Sequence, residues 1–171
     1  MGSLVVYFSH EGQNSVGFDV KEVKKGHTRI LAEKIAELTG SDILRIEPVQ
    51  PYPADYDECC KRAREEADGS LRPEIRIPIQ SLDSYDVIYI GFPIWYRSYP
   101  RVIATFISHF DFTGKKVWPF CTNEEGAFGM ADMELEAAIR ARGGETMRGL
   151  AIKGGNAETC DAQLKRWLGK E

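Results

Sequence analysis

Short apolar runs alternate with helical segments along the chain, and this alternation limits what the sequence can fold into. Leu4 to Phe8 is a continuous apolar run of strand length, and Asp86 to Gly91 is the clearest strand in the sequence. Unbroken apolar strands are typical of parallel sheets that helices cover on both faces. Five such strands alternating with helices predict an α/β domain built on one parallel sheet.

The other elements follow from the same patterns. Further strands are predicted at 43–46, 116–121 and 145–152, and helices at 27–39, at 55–68, from near Pro100, at 131–142 and after a cap at Asn156. Leu71 to Leu82 contains two prolines, so we expect a loop or at most an edge strand there. Right-handed crossovers leave few topologies, and the expected one is a single doubly wound domain over residues 1–171, with strand order 2-1-3-4-5 and helices on both faces.

Composition excludes several classes of protein. A chain of 171 residues with a net charge of −4 lacks the basic surplus of a nucleic-acid binder. No run approaches the ~18 apolar residues of a membrane span. Met1 to Leu4 leads straight into an apolar strand and does not resemble a signal peptide. We therefore expect a cytoplasmic protein.

Cysteine and histidine usage gives no sign of a metal site. The chain has four cysteines, which form neither a CxxC motif nor a zinc-like spacing: Cys59, Cys60, Cys121 and Cys160. Neighbouring cysteines rarely bridge each other, so we expect four free thiols in a reducing compartment. The three histidines show no metal-ligand spacing.

The loop after the first strand has the residues of a phosphate site. In doubly wound sheets, ligands bind outside the carboxyl ends of the strands, so the loops after strands one, three and four should carry the chemistry. Ser9 and His10 are followed by an insertion, residues 11–25, and then by Gly26, His27 and Thr28 at a helix start. Hydroxyls and free helix N–H groups suit a phosphate. The alternative is that Thr28 merely begins a helix. The absence of a lysine after Gly26 rules out a Walker loop.

The loop after the third strand is unusually aromatic. Gly91 to Pro100 contains tryptophan, tyrosines and prolines where polar turn residues normally dominate. Trp95 and Tyr96 are the candidates to flank a planar ring, and Pro93 would stiffen the approach. Alternatively, Trp95 fills the core beneath the loop.

The loop after the fourth strand completes the pattern. Gly126 and Gly129 allow close approach of the backbone to a ligand, and Asn123 can recognise the polar edge of a pyrimidine-like ring. An ordinary glycine-containing turn is the alternative. Phosphate, stacking and edge-recognition groups in three neighbouring loops together fit flavin mononucleotide (FMN).

Five segments resemble the flavodoxin family: Leu4–Ser9, Gly26–Ala36, Tyr52–Tyr56, Gly91–Trp95 and Thr122–Gly126. More narrowly, the chain is similar to flavodoxin-like proteins of bacteria and archaea whose phosphate loop is split by an insertion. The resemblance extends from Leu4 to about Leu168 and implies a five-stranded flavodoxin-like sheet with non-covalent FMN. It implies three groups of FMN-binding residues: Ser9, His10, His27 and Thr28 at the phosphate; Pro93, Ile94, Trp95 and Tyr96 along the isoalloxazine; and Thr122, Asn123, Glu124 and Gly126 at its edge.

Two features depart from the family pattern. His27 stands where the compact phosphate loop usually has asparagine, so phosphate affinity can depend on pH. Arg97 and Arg101 follow the stacking residues, whereas electron-shuttling flavodoxins are usually acidic near the ring. An arginine close to the ring would stabilise the reduced anion and raise the midpoint potential. The alternative is that both arginines are solvated surface charges.

Two functions remain open, and the protein's part in either is to position FMN and tune its electronics. The first is electron transfer through FMN to a redox partner protein. Carboxylates could surround the exposed ring edge in that case: Glu58, Glu65, Glu66 and Asp68. The second is an NAD(P)H-dependent FMN oxidoreductase acting on quinones, flavins or nitro compounds, with residues 52–56 and 11–25 forming a wall over the flavin.

Electron transfer is slightly favoured, because the fold family supports it by default. A receiver domain shares the doubly wound plan, but it needs acidic residues after strand one and an aspartate after strand three. Those positions hold Ser9, His10 and Phe92, so that function is excluded.

Overall fold

Residues 2–170 are described by the computed structural model. In chain order the elements are β1 (Gly2–Tyr7), β2 (Gly12–Val16), β3 (Asp19–Val23), α1 (His27–Thr39), β4 (Asp42–Arg45), β5 (Glu47–Pro48), α2 (Tyr56–Asp68), β6 (Ile75–Arg76), β7 (Tyr85–Pro93), α3 (Arg101–His109), β8 (Lys116–Asn123), α4 (Ala131–Ala141), β9 (Glu145–Thr146), β10 (Leu150–Lys153) and α5 (Asp161–Trp167). No helix in this part of the chain has the length and apolar character needed to cross a membrane.

A parallel sheet with the order β4-β1-β7-β8-β10 forms the centre of the molecule. The order 2-1-3-4-5 predicted from the sequence is thus confirmed. The fifth strand is divided into β9 and β10, which both pair with β8. Val117 pairs with Thr146 and Phe120 with Leu150, so β8 advances three residues while the fifth strand advances four. The extra residue interrupts the predicted strand 145–152.

Helices cover both faces of the sheet, as predicted. Val5 and Tyr7 of β1 belong to a hydrophobic cluster with side chains of α1 and α5. Leu4 and Val6 belong to a second cluster, which contains side chains of α2, α3 and α4. Successive strand residues point to opposite faces, so a strand covered on both sides has no polar positions. This geometry explains the unbroken apolar run at Leu4 to Phe8.

The start of the last helix differs from the sequence prediction. Asn156 does not cap α5, because residues 154–156 form a separate 3-10 turn and the N-cap of α5 is Cys160. The Asn156 carbonyl accepts hydrogen bonds from the N–H and the hydroxyl of Thr159, which closes a second turn before the helix. Cys160 and Leu164 are buried as expected, while Trp167 and Leu168 pack half-buried against the same cluster.

The proline-marked segment contributes only a short strand. Within residues 71–82, Ile75 and Arg76 form β6, which pairs antiparallel with β5. This outcome matches the expectation of a loop or an edge strand.

The insertion after β1 forms a β-hairpin of β2 and β3. Gly17 and Phe18 at its tip both have positive φ, which is the pattern of a two-residue type I′ turn. The base of the hairpin is fixed by a hydrogen bond from the Gln13 N–H to the Ala54 carbonyl (2.8 Å). The hairpin therefore leaves the main sheet near the carboxyl end of β1.

Candidate functional site

A cavity of about 440 Å³ opens where β1, β7 and β8 end. This is the place at which doubly wound sheets bind ligands. The residues predicted to bind a cofactor line this cavity, with the exception of Gly126: Ser9, His10, His27, Thr28, Pro93, Ile94, Trp95, Tyr96, Thr122, Asn123 and Glu124. The fold thus brings the three predicted loops together around one space.

The first end of the cavity lies at the start of α1. The Ser9 hydroxyl accepts a hydrogen bond from the Arg29 N–H (3.3 Å), and the Thr28 and Thr122 hydroxyls are 2.8 Å apart in a buried pair. A Cβ at Gly26 would overlap the Ser9 hydroxyl and lie 2.9 Å from the His10 carbonyl oxygen. Glycine is required there because the backbone passes directly against the Ser9–His10 loop. Two hydroxyls and a helix start, whose first N–H groups have no carbonyl partners within the helix, therefore lie at the same end of the cavity.

His27 occupies a half-buried position beside this end. Its ring packs against the backbone of Gly154, where an added Cβ would overlap the imidazole. Burial lowers the pKa of His27, and the carboxylates of Glu124 and Glu158 act in the opposite direction. The ring is therefore held toward its neutral form.

His10 fixes the walls of the cavity. Its Nε2 donates a hydrogen bond to the Pro53 carbonyl (2.8 Å), and its Nδ1 lies 3.1 Å from Asn14 Oδ1. The Asn14 amide in turn donates to the His10 carbonyl (2.9 Å). These contacts tie the hairpin and the segment before α2 to the end of β1.

Trp95 forms the floor of the second end. It meets Tyr52 and Phe8 edge to face, with ring centroids 5.0 and 5.3 Å apart. The side chain is half-buried and also lines the cavity. The interpretation of Trp95 as a core residue is therefore partly right. The rest of its side chain borders the cavity, and its stacking against a planar ligand stays a prediction.

Tyr96 and Arg97 form a turn that glycine would normally occupy. The N–H groups and carbonyls of Trp95 and Ser98 bond to each other at 2.8 and 3.2 Å, and the two residues between them have φ values of 52° and 68°. Consecutive non-glycine residues in the left-handed region are strained, and such strain is concentrated at functional sites.

The two sides of this strained turn are anchored. The Tyr96 hydroxyl donates to the Cys60 carbonyl of α2 (2.8 Å), and the Arg97 carbonyl accepts from the Met130 N–H (2.7 Å). Arg97 lines the cavity. Arg101 donates instead to the Ser70 and Leu71 carbonyls, so its charge is directed away from this end.

The loop after β8 is organised by its own side chains. Asn123 Oδ1 accepts from the N–H groups of Gly126 (2.6 Å) and Ala127 (3.1 Å). Glu124 Oε2 accepts from the N–H of Phe18 at the hairpin tip (3.1 Å). Asn123 therefore shapes the loop, and Glu124 joins it to the hairpin that crosses the cavity.

The wall expected from residues 11–25 and 52–56 contributes five lining residues: Gln13, Asn14, Ser15, Val23 and Tyr56. Helix α2 adds three lining residues that the sequence analysis missed: Cys59, Cys60 and Ala63. The segment at 52–56 and the insertion at 11–25 were the signals that pointed to this wall. Its full extent depends on tertiary contacts, because α2 is docked by Tyr52, whose hydroxyl donates to the buried Glu66 carboxylate.

The predicted acidic rim is only partly present. Glu58, Glu65 and Asp68 are exposed, but Glu66 is buried. Its carboxylate pairs with Arg62 (3.2 Å), whose guanidinium lies 4.0 Å from the centre of the Tyr52 ring. Glu66 therefore anchors α2 and does not contribute to a charged rim.

The chain has clear relatives among known families and structures. A profile of the flavodoxin family matches residues 3–171. A crystal structure of a protein assigned as a flavoprotein from Bacteroides uniformis is 32% identical, with a TM-score of 0.75, and the match covers 99% of this chain and 98% of that one. For a second such protein, from Bacteroides eggerthii, identity is 28%, the TM-score 0.76 and coverage 98% and 96%.

A more distant structure is that of a flavoprotein in complex with FMN from Lactobacillus acidophilus. It is 20% identical with a TM-score of 0.66, and the match covers 98% of each chain; at this identity it supports the fold alone. No curated protein sequence matches the chain. The family profile spans nearly the whole sequence, so the chain belongs to the flavodoxin family.

Proposed function

We propose that this protein binds FMN non-covalently in the cavity at the ends of β1, β7 and β8 and transfers electrons through it. FMN is the cofactor that membership of the flavodoxin family implies, and the Lactobacillus acidophilus relative is a flavoprotein in complex with FMN. The observation that carries the proposal is the cavity itself, which joins the start of α1 to the half-buried Trp95.

The residues at the α1 end fit a phosphate. The Ser9 and Thr28 hydroxyls and the first N–H groups of α1 are hydrogen-bond donors of the kind that hold anions at helix starts. Gly26 has no side chain, so the backbone at the start of α1 can pass directly against the Ser9–His10 loop. The helix dipole adds a favourable field for a dianion.

The residues at the other end fit a planar ring. Pro93, Ile94 and Trp95 present a largely apolar wall, which excludes water from one side of an aromatic ligand. Gly129 has positive φ and lies where a Cβ would approach the Arg97 carbonyl to 2.8 Å. The backbone of the β8–α4 loop can therefore come close to the strained turn and to a ring edge.

Bound FMN supplies one- and two-electron chemistry, and the protein positions it. Trp95 would lie against the ring, and Phe8 and Tyr52 hold the indole in place by edge-to-face contacts. Arg97 places a positive charge at the cavity, which favours negative charge developing nearby.

A second candidate is an NAD(P)H-dependent FMN oxidoreductase with a small-molecule substrate. The supporting observation is the wall over the cavity. The hairpin is fixed at its base to Ala54 and at its tip to Glu124, while α2 closes another side. Such a wall suits a small molecule better than a protein surface.

An anaerobic absorbance titration of the FMN-loaded protein with NADH and then NADPH separates the two functions. If the protein is an electron shuttle, FMN binds and neither nucleotide bleaches the flavin, whereas dithionite does. Rapid bleaching by either nucleotide would establish the oxidoreductase function instead. Failure to load FMN would contradict the proposal as a whole.

A further inference from the structure

The indole of Trp95 lies among the rings of three neighbouring side chains. The ring centroids of Tyr52, Phe8 and His10 are 5.0, 5.3 and 6.0 Å from that of Trp95, and each ring meets the indole edge to face. Phe8 has no polar group, whereas the Tyr52 hydroxyl is bonded to the Glu66 carboxylate of α2. Tyr52 therefore joins Trp95 to a helix that is distant in sequence.

Tyr52, Arg62 and Glu66 form a closed set of contacts, which we call the α2 anchor. The Tyr52 hydroxyl donates to one carboxylate oxygen of Glu66, and Arg62 Nε donates to the other (3.2 Å). The Arg62 guanidinium lies 4.0 Å from the centre of the Tyr52 ring and also donates to the Pro51 carbonyl (2.8 Å). Each member of the α2 anchor thus contacts the other two.

Burial makes the Tyr52 hydroxyl a required part of this set. Tyr52 is 8% exposed and Glu66 is 7% exposed, and a buried carboxylate costs free energy unless its oxygens accept hydrogen bonds. Burial and the bond to Glu66 raise the pKa of Tyr52, so the hydroxyl keeps the proton that it donates. Without the hydroxyl, Glu66 Oε1 would lose this donor, and α2 would have to shift until water reached that oxygen.

Trp95 is the point at which the α2 anchor reaches the cavity. The indole lines the cavity, whereas the three members of the anchor lie behind it and are not among the described residues that line this space. The main chain of Trp95 is fixed separately by its two hydrogen bonds with Ser98. The freedom that remains is rotation of the indole, and the Tyr52 ring limits it. The next step rests on the proposed function, in which the flavin ring lies against Trp95.

We propose that Tyr52 is a positioning residue for the flavin ring and that it acts through Trp95. The bond between the Tyr52 hydroxyl and Glu66 keeps the indole in the orientation that contacts the ring. The α2 anchor therefore determines how tightly the ring end of the cofactor is bound. Because it acts at the ring end, it affects FMN and riboflavin alike, unlike the phosphate donors at the start of α1.

Tyr52→Phe tests the role of the hydroxyl, because phenylalanine keeps the ring beside Trp95. Flavin fluorescence titrations should show FMN and riboflavin binding weakened by the same factor, about two- to tenfold, the value of one hydrogen bond. Tyr85→Phe is the matched control. The Tyr85 hydroxyl also donates to a carboxylate, that of Asp42 (2.7 Å), but Tyr85 begins β7 and the cavity lies where β7 ends. The control should keep wild-type affinity for both flavins.

A double-mutant cycle shows whether Tyr52 acts through Trp95. In a Trp95→Ala background, Tyr52→Phe should change flavin affinity by less than about twofold, and Trp95→Leu supplies a second background if the alanine variant does not fold. Visible circular dichroism of the bound flavin is an independent readout, because it reports the surroundings of the ring. The spectrum should change in Tyr52→Phe and stay unchanged in Tyr85→Phe, whereas a role in fold stability alone would leave both spectra unchanged.

Substitution of Glu66 tests the other end of the same hydrogen bond. Glu66→Gln keeps an oxygen that accepts from the Tyr52 hydroxyl, while Glu66→Leu removes it. Flavin affinity should therefore be higher in Glu66→Gln than in Glu66→Leu. Equal affinity in the two variants would show that the bond to Tyr52 does not position the ring.

The outcomes separate this proposal from the one on which it rests. Failure of the wild type to bind FMN contradicts the proposed function and this inference together. If the wild type binds FMN, the inference alone is overturned by wild-type affinity in Tyr52→Phe or by the same loss in both Trp95 backgrounds. A loss of FMN binding without a loss of riboflavin binding would also overturn it, because the effect would then lie at the phosphate.

Discussion

At the scale of single residues, the buried Thr28–Thr122 pair connects the fold to the proposed cofactor. The two hydroxyls are 2.8 Å apart, and Thr28 also lies at the start of α1, where we propose that its hydroxyl binds the phosphate. Thr28 is thus placed to distinguish FMN from riboflavin, which lacks the phosphate.

Thr28→Ala should weaken FMN binding by about 1.5–3 kcal/mol, the usual value of a hydrogen bond to a charged group. Riboflavin binding should change much less. Flavin fluorescence titrations with both ligands measure the difference, and Thr28→Ser, which keeps the hydroxyl, is the control. Equal losses for FMN and riboflavin would remove the phosphate role of Thr28.

His27 should make the stability of the FMN-free protein depend on pH. Burial lowers the pKa of His27 in the folded state below that of the unfolded chain, near 6.5. The unfolded state therefore binds more protons as the pH falls through that range, and the free energy of unfolding decreases.

Urea denaturation at pH 7.5 and pH 5.5 tests this effect. The wild type should lose more stability between the two pH values than His27→Gln, whose side chain does not titrate. A loss as large in the variant as in the wild type would show that other groups are responsible.

At the scale of elements, the packing of β7 against β8 leaves no room for a side chain at Gly91. A Cβ there would overlap the Phe120 ring, which is fully buried. Gly91→Ala should reduce the free energy of unfolding by about 1–3 kcal/mol, as overpacking does in well-packed cores.

Gly155→Ala is the matched control for that substitution, because nothing lies within 4 Å of a Cβ added at Gly155. Chemical denaturation of both variants compares them directly. Equal stability of Gly91→Ala and the wild type would mean that the packing between β7 and β8 adjusts to the added methyl group with little loss of stability.

The hairpin should slow release of the cofactor. Glu124 joins the hairpin tip to the loop after β8, so the cavity cannot open fully without breaking that contact. Glu124→Ala removes the acceptor for the Phe18 N–H and should accelerate FMN dissociation about two- to tenfold.

Glu124→Gln separates the contact from the charge, because an amide oxygen still accepts the hydrogen bond. Stopped-flow release of FMN should be slower from Glu124→Gln than from Glu124→Ala. The same rate in both variants would assign the effect to charge and leave the hairpin without a role in retention.

At the scale of the whole molecule, the sheet and its loops could be predicted because the burial of β1 and β7 is directly visible in their sequences. Each is buried on both faces, so its sequence is an unbroken apolar run with a ligand loop at the end. The insertion was expected to form a wall, but its hairpin structure and the contribution of α2 beyond Tyr56 could not be predicted, because Gln13, Asn14 and Cys60 reach the cavity only through contacts distant in sequence. The prediction that Asn156 caps the last helix was wrong for a local reason, because the Asn156 carbonyl closes a separate turn before the helix begins.

The central claim is that the cavity binds FMN and recognises its phosphate. The most direct test is a fluorescence titration of the flavin-free protein with FMN and, separately, with riboflavin. The account predicts saturable binding of a single FMN per chain, tighter than that of riboflavin. Failure to bind FMN, or equal affinity for the two flavins, would contradict it.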